Sequence, residues 1–489
     1  MPASEAPAPA KSEMRLYVKQ KPQAFLFWHR QRFHPAPQRT GTAPTPPNDG
    51  DVKIPANVTS IRGTWFDDAI DFRDPEGDAI TRQVLALLAA SETRRRKRRP
   101  ADEANHYTIV RKILANGFRC FHHREPCQVA YFRGAEGYTD APQWLSGKAM
   151  SRAVDVLVDA GLLKASIGEW GTASTYEITK ALFYLARQTD ITDSCLTQQL
   201  PAQSLVRLRS SKPEGKFLDF TPTEDTHHWT ALLESYNTFL VQQDIRLALT
   251  GAEAAAWAKH AEANRDGQEP HVYRPELFRT DLYRVFNNGN FDEGGRLYGG
   301  WWIDAPKSLR SKITINGQPT TELDYSGCAL RMLYHERGIE YLDDPYRLAE
   351  IAAYEARKGL RANHFREAIK KITQALINDG SDGKPERIPL SNGLSFWPDF
   401  SRKQVRQMIE DKHAPIADAF GTGIGLRLQR KDSDLALAII INLMEQGIVA
   451  LPIHDSFVTM TDKSDHLKKE MINFYRSMFG FDPIIKVST

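Results

Sequence analysis

The sequence predicts an α+β fold made of two modules, and three observations support this prediction. Between residues 101 and 190, helical patterns lead into two short strand patterns. From residue 291 onwards, strands bounded by glycine alternate with helices. Two of the later strands end in an acidic residue, Asp324 and Asp455. We therefore expect the chemistry of the protein to lie in its C-terminal part.

The composition is that of an ordinary globular protein. The 489 residues are 41% hydrophobic and 26% charged, with a formal net charge of +3, which excludes global disorder and allows roughly three domains. Any nucleic-acid binding must therefore come from local basic patches. The longest clean apolar run, Leu435 to Ile441, is far shorter than the ~20 residues that span a bilayer. The four cysteines suit a reducing compartment, so we expect a cytoplasmic protein without a membrane partner.

The N-terminal region carries little periodicity. Residues 1–60 are rich in proline, which predicts a disordered tail. Residues 61–100 are expected to form a linker, and this linker contains an unbroken basic run from Arg94 to Arg99. Two interpretations of the run stay open, a solvated linker or an arm that contacts phosphates.

Residues 101–190 contain the more distinctive local pattern. A helix is predicted from Ser146 to Ala160, and Gly161 ends it. Two strands follow, at 162–167 and 175–179, joined by a polar loop. This order resembles a winged helix-turn-helix, which implies a DNA-binding domain over residues 101–190.

The resemblance also implies which side chains of this domain meet DNA. A recognition helix contacts DNA near its N-terminus, and the residues expected there are Lys148, Ser151 and Arg152. Winged helices also bind proteins, so that alternative stays open. Residues 200–290 are predicted to be a helical connector.

Two acidic strand ends are the first candidates for catalysis. Asp324 ends a short strand just before a helix, where it would otherwise cap that helix. Asp455 lies at the tip of a predicted β-hairpin, between His454 and Ser456. A hydrolase triad is disfavoured, because neighbouring side chains diverge whereas a triad is assembled from distant segments. We instead expect both aspartates to bracket two divalent ions about 4 Å apart, and Mg²⁺ prefers such oxygen ligands.

A basic helix is predicted between the two aspartates. Its polar residues recur every four positions and so form one stripe, opposite an apolar face. The stripe consists of Arg366, Lys370, Gln374 and Asn378. A solvated amphipathic helix shows the same pattern, but paired carboxylates beside a basic helix also suit a metal-bound triphosphate.

These segments together resemble a known family. Asp-Tyr-Ser-x-x-x-Leu-Arg at 324–331, Arg-x-x-x-Lys at 366–370 and His-Asp at 454–455 resemble motifs A, B and C of family-A nucleic-acid polymerases, the superfamily of DNA polymerase I and the single-subunit phage-type RNA polymerases. Gly295-Arg296-Leu297 and Gln429 match two further family segments. The resemblance covers about residues 290–489. It implies a right-hand palm and fingers over 291–489, with an antiparallel palm sheet, and a thumb-like role for 200–290.

The resemblance implies roles for individual residues. Asp324 and Asp455 would ligate two Mg²⁺ ions, for which Mn²⁺ is an alternative, while Arg366 and Lys370 would neutralise the triphosphate. Lys371 is a second possible register for the motif B lysine. The implied nucleotide-binding residues are Arg366, Lys370, Gln374, Asn378, Tyr325 and Ala329, and the implied primer–template residues are Arg296, Gln429 and His454. The expected partners are DNA, as primer–template or duplex, and nucleoside triphosphates, with the chain acting as a monomer.

Departures from the family pattern leave the sugar preference open. Ala329 stands where the DNA polymerases carry a glutamate that blocks the ribose 2′-hydroxyl, and Ser456 follows Asp455 as in the RNA polymerases. Asn378 replaces the tyrosine that ends motif B. We expect a DNA polymerase, with an RNA polymerase or primase as the alternative. A third possibility is an inactive DNA-binding replication or regulatory protein.

Other candidate metal sites are weaker. Asp432-Ser433-Asp434 has the form of a glycosyltransferase Asp-x-Asp site, but its position predicts a cap for a helix that begins at Leu435. Asp343-Asp344 precedes Pro345 and predicts a turn. Cys120 and Cys127 lack the spacing and the second pair of a zinc site.

Overall fold

The computed structural model describes residues 64–91, 98–125, 128–138, 141–142, 144–169, 172–263, 272–273, 275–379 and 399–488. The predicted tail of residues 1–60 lies outside the described residues, and so do residues 94–97 of the basic run. Within the described ranges, no helix is both long and apolar enough to cross a membrane.

The described helices are α1 (Glu76–Ser91), α2 (Pro100–His123), α3 (Gly147–Asp159), α4 (Lys180–Gln188), α5 (Glu224–Val241), α6 (Gly251–Ala263), α7 (Lys307–Arg310), α8 (Cys328–Glu336), α9 (Ala349–Arg357), α10 (Arg366–Asn378), α11 (Arg402–Lys412), α12 (Gly425–Glu445) and α13 (Ser464–Phe479).

The described strands are β1 (Thr64–Trp65), β2 (Ile70–Phe72), β3 (Arg124–Glu125), β4 (Val129–Tyr131), β5 (Leu163–Ser166), β6 (Ser174–Ile178), β7 (Leu196–Gln198), β8 (Val206–Arg209), β9 (Phe217–Leu218), β10 (Ile245–Leu247), β11 (Val272–Tyr273), β12 (Tyr283–Phe286), β13 (Gly294–Tyr298), β14 (Ile313–Ile315), β15 (Gln318–Tyr325), β16 (Ala450–Ile453), β17 (Ser456–Met460) and β18 (Ile485–Ser488).

The N-terminal module has its own hydrophobic core, formed by α1, α2, α3 and a sheet of order β1-β4-β6-β5. The helix and the two strands predicted around residues 146–179 are confirmed. Ser146 caps α3, because its side chain accepts a hydrogen bond from the Ala149 amide. Strand β6 pairs antiparallel with both β4 and β5, so the hairpin after α3 is anchored to the rest of the sheet.

Residues 61–100 differ from the predicted linker. Helix α1 occupies residues 76–91, and its buried residues Ile80, Val84 and Leu88 belong to the N-terminal core. Their spacing of four places them on one helix face, which is a signal that the sequence already contained. The segment therefore contributes to the fold of the N-terminal module.

Residues 200–290 likewise differ from a purely helical connector. They contain α5 and α6 as predicted, but also β8, β9, β10 and β12. Strand β8 pairs in parallel with β12 and antiparallel with β9, and β10 pairs with β14. These strands, together with Trp229, Leu233 and Tyr236 of α5, join one core that continues to the C-terminus.

The C-terminal sheet is antiparallel and centred on the long strand β15. Its order is β10-β14-β15-β17-β16, and β18 also pairs with β15. Helix α12 packs against β13 and β16, and α13 packs against α12. One face of β15 lies in the core, and its other face carries Glu322 and Asp324.

Candidate active site

Strand β15 positions Asp324 by simple alternation. Leu323 and Tyr325, on either side of it, are 3% and 2% exposed and lie in the core, so Asp324 points to the opposite face of the sheet. The Tyr325 hydroxyl donates a hydrogen bond to the Met471 carbonyl at 2.7 Å. Tyr325 is thus a core residue, and its expected contact with a nucleotide stays a prediction.

The hairpin of β16 and β17 brings Asp455 to the same end of the sheet. The predicted tight hairpin with a polar tip is confirmed. In its two-residue turn, His454 adopts a positive φ of 57°. The Asp455 carbonyl accepts a hydrogen bond from the Tyr325 amide at 3.1 Å, and Asp324 lies opposite Ser456 in the β-ladder. Two aspartates far apart in the sequence therefore lie together.

The two carboxylates influence each other electrostatically. Burial and the negative charge of Asp455 raise the pKa of Asp324 to about 7, while Lys370 opposes this shift. Burial also raises the pKa of Asp455, against the opposing charges of Arg296 and Lys370. Desolvation and repulsion both disfavour the ionised pair, so either a proton or a bound cation would stabilise it.

Lys370 and Arg366 of α10 have different surroundings. Lys370 interacts electrostatically with both aspartates. Arg366 instead forms a two-pronged ion pair with Asp344, at 2.8 and 3.2 Å, and lies 5.1 Å from the Tyr346 ring centroid. The predicted turn at Asp343-Asp344 therefore also supplies the partner of Arg366.

The remaining residues of the α10 stripe are exposed. Gln374 and Asn378 both lie on the solvent side of the helix. The side-chain amide of Asn378 donates a hydrogen bond to the backbone carbonyl of Gln374 at 2.6 Å. The apolar face predicted for this helix is confirmed, since Ile369, Ile372 and Leu376 are buried. The stripe thus presents a polar surface that continues away from Lys370.

Two residues that depart from the family pattern occupy distinct environments. Ser456 is buried, and its hydroxyl donates to the Glu322 carboxylate at 2.7 Å. Glu322 lies two residues before Asp324 on the same face of β15 and pairs with Arg310 at 3.3 Å. Ala329 lies in the first turn of α8 and is half-buried. Ser456 therefore has a structural partner, whereas Ala329 leaves a small side chain near the site.

A third carboxylate, missed by the sequence analysis, approaches the pair from α12. This helix begins at Gly425 and not at Leu435, so Asp432 is an interior helix residue and the predicted cap is wrong. Asp432 is 6% exposed, and burial raises its pKa to about 7, with Asp455 and Asp324 adding to the effect. The apolar spacing of Leu428, Leu435 and Ile439 was the available signal for a helix that starts earlier.

The three residues expected to hold a primer–template lie on β13, in the hairpin turn and on α12. Arg296, on β13, has its Nε atom 3.7 Å from Asp432 Oδ2. Burial, Arg296 and Arg310 lower the pKa of His454 to about 4, so this imidazole is neutral at pH 7. Gln429 lies within α12, where the sequence analysis had placed it upstream of a helix, and is half-buried.

The donor set of the site suits a hard cation. No group of three or more His, Cys, Asp or Glu side chains within the described ranges is arranged to hold a metal ion. Mg²⁺ is commonly held by one or two carboxylates and completes its shell with water and substrate phosphates. Asp324 and Asp455 fit that mode of binding. The alternative zinc site is not supported, because Cys120 is buried on α2 and Cys127 lies outside the described residues.

The N-terminal residues expected to bind DNA lie on one helix. Lys148 and Arg152 are exposed in the first half of α3, and Ser151 is half-buried. Asp155, one turn further on, is held by Arg133 through two contacts of 2.8 Å. Positive charge is therefore concentrated at the N-terminal half of this face.

Comparison with known proteins gives a weak likeness only. No protein-family model matches the chain, and no curated protein matches it. A solved structure of the POL domain of Pol1 from M. smegmatis, in complex with DNA primer–template and dNTP, is similar over 43% of this chain and 47% of that chain, with 13% identity and a TM-score of 0.27. The chain thus spans about half the length of that structure. A likeness of this size does not assign a family, and the proposal below depends on the site itself.

Proposed function

We propose that the protein is a template-directed nucleotidyltransferase that extends a 3′-hydroxyl with nucleoside triphosphates. The observation that carries the proposal is the convergence of Asp324 and Asp455 at one end of a sheet, with Lys370 of a basic helix interacting with both. The same residues form the ordered motifs that resemble family-A polymerases. In this proposal the sheet centred on β15 is the palm, α10 belongs to the fingers, and residues 200–290 contribute the thumb.

The proposal assigns a role to each side chain of the site. Asp324 and Asp455 would hold Mg²⁺, which when bound supplies positive charge for the reacting oxygens and the pyrophosphate that leaves. Lys370, which interacts electrostatically with both carboxylates, would attract the triphosphate and supply a proton to the leaving group. Arg366 already has a carboxylate partner in Asp344, so its share in neutralising the triphosphate is smaller. Arg296 and His454 lie on the side where the primer end would approach.

Ribonucleotide use is the second candidate, and the small side chain of Ala329 favours it. We predict that Ala329→Glu raises the preference for dNTPs over rNTPs at least about tenfold, because a carboxylate there would clash with the 2′-hydroxyl, and about 1.4 kcal/mol gives that factor. The measurement is kcat/KM for each sugar on the same primer–template. Ala329→Ser, which adds one atom, is the matched control and should change the ratio little. An unchanged ratio in Ala329→Glu would show that Ala329 does not contact the sugar.

We further propose that the N-terminal module binds DNA through α3. The strand order β4-β6-β5, with α3 directly before the hairpin, supports this proposal because it resembles the order of elements in a winged helix. Two exposed cations, Lys148 and Arg152, lie near the N-terminus of α3, which is where such a helix meets DNA.

Replacing these two cations tests that proposal. We predict that the double change Lys148→Ala and Arg152→Ala weakens binding to duplex DNA and lowers the slope of log K against log salt by about 2, since each phosphate contact contributes about 1. Fluorescence anisotropy at several salt concentrations measures the slope. Exposed Lys164, which pairs with Glu177 in the hairpin, supplies the control substitution. Equal slopes for the double variant and the wild type would exclude this face.

Extension of a labelled primer, with dNTPs and rNTPs in parallel, tests the proposed function. Incorporation directed by the template supports it, and the preferred sugar separates a DNA polymerase from an RNA polymerase. Binding of DNA without incorporation under Mg²⁺ or Mn²⁺ would instead support an inactive DNA-binding protein.

A further inference from the structure

Asp432 is a buried acidic residue whose recorded ion-pair partner, Arg296, lies beyond hydrogen-bond distance. It lies in the interior of α12 and is 6% exposed. Among the described residues, neither Asp432 Oδ2 nor Arg296 Nε has a hydrogen-bond partner, although these two atoms lie 3.7 Å apart. A buried carboxylate oxygen without a hydrogen bond is unfavourable, so we expect Asp432 to serve a function that outweighs this cost in stability.

Arg296 is the cation that Asp432 shares with Asp455. Its positive charge opposes the burial effect at both carboxyl groups and also affects His454 between the two strands. Strand β13 carries Arg296 and packs directly on α12. The Arg296 side chain is 29% exposed, so part of it reaches solvent while its Nε atom faces Asp432.

The neighbouring contacts fix the backbone on both sides of this pair. The Gly295 carbonyl, next to Arg296, accepts a hydrogen bond from Arg284 at 2.8 Å. Ser433, next to Asp432, accepts one from the same arginine at 2.7 Å. Arg284 therefore ties β13 to α12 immediately beside the pair, and the side chains of Asp432 and Arg296 start from a rigid base.

We propose that Asp432 is a positioning residue that holds the Arg296 guanidinium away from Asp455, leaving Asp455 for a divalent cation and Arg296 for the primer strand. This inference rests on the proposed function. Its physical basis is competition, because one guanidinium group is shared by two carboxylates. Without the charge of Asp432, the strongest remaining partner of Arg296 is Asp455, and an ion pair there excludes a cation from the same oxygens.

Direct cation binding tests the proposal independently of catalysis. We expect Asp432→Asn to raise the Kd for Mn²⁺, measured by EPR on the full chain without DNA or nucleotide, about tenfold. The control is Asp462→Asn, which removes an exposed carboxylate beyond the other end of β17. Asp432→Ser gives the same test with a smaller side chain if circular dichroism shows that the Asn variant does not fold. An unchanged Kd in the folded variant overturns the proposal.

A double-mutant cycle separates positioning from direct attraction of the cation. In an Arg296→Met background, Asp432→Asn should change the Mn²⁺ Kd by less than about twofold, because no guanidinium is left to move. A tenfold loss in that background as well would mean that Asp432 attracts the cation directly, and it would overturn the positioning role. Wild-type protein that neither binds Mn²⁺ nor extends a primer contradicts the proposed function. Wild-type protein that does both, beside an unaffected Asp432→Asn, contradicts only the inference.

Discussion

Asp324→Asn and Asp455→Asn are each expected to lower primer extension about 10³-fold or more, since the several kcal/mol of charge stabilisation that the cation provides are lost with its ligand. Asparagine keeps the shape of the side chain and removes its charge. The measurement is single-turnover extension of a labelled primer with saturating nucleotide and Mg²⁺.

The same two variants should fold as well as the wild type. The raised pKa of Asp324 means that its ionised form is disfavoured in the folded state, and a neutral amide removes the repulsion with Asp455. The thermal midpoint of each variant should therefore not decrease, which separates loss of chemistry from loss of structure. Asp462→Asn, an exposed change on the same domain, should leave both activity and midpoint unchanged. Wild-type activity in either site variant would exclude the pair as cation ligands.

The part of the site that could be predicted from sequence is the part encoded locally. Asp324 lies at the end of a strand and Asp455 at the tip of a hairpin, and a strand pattern of period two fixes which side chains point away from the core. The turn at His454 and the apolar face of α10 are local in the same sense. Such features depend on neighbours within a few positions.

The features that were missed depend on distant residues. Asp432 was taken for a helix cap because an Asp-Ser-Asp sequence before an apolar run is typical of an N-terminus. Its real neighbour is Arg296, on a strand that packs against α12. In the same way, motif B predicts a triphosphate ligand at Arg366, yet Asp344 occupies its guanidinium group. Pairings of charges across such sequence distances leave no local pattern.

The buried network beside the site provides the largest expected effect on stability. Arg284 is fully buried and donates to Asp434 at 2.9 Å and to Ser433 at 2.7 Å. Arg430 also pairs with Asp434, and both guanidinium groups lie about 5 Å from the Trp229 ring centroid, at 5.1 and 4.9 Å. One carboxylate, which is only 4% exposed, therefore serves two buried arginines.

Asp434→Ala is expected to lower the free energy of unfolding by about 3–5 kcal/mol, because removing one member of a buried ion pair leaves an uncompensated charge. Here two positive charges remain, and burial already lowers the pKa of Arg284 to about 9, which shows how poorly the site solvates a cation. The contacts of these arginines with Trp229 and Phe286 offset only a part of this loss in free energy, since a cation–π contact contributes about 0.5–2 kcal/mol. Urea denaturation followed by tryptophan fluorescence measures the loss.

The matched control for this prediction is Asp418→Ala. Asp418 also pairs with an arginine, Arg337, but its side chain is 76% exposed, so its loss should cost no more than about 1 kcal/mol. The contrast between the two variants isolates burial, because the chemical change is the same. If the free energy of unfolding of Asp434→Ala lies within about 1 kcal/mol of the wild-type value, Arg284 and Arg430 have found other partners. It would also remove the rigid base on which the positioning of Arg296 by Asp432 depends.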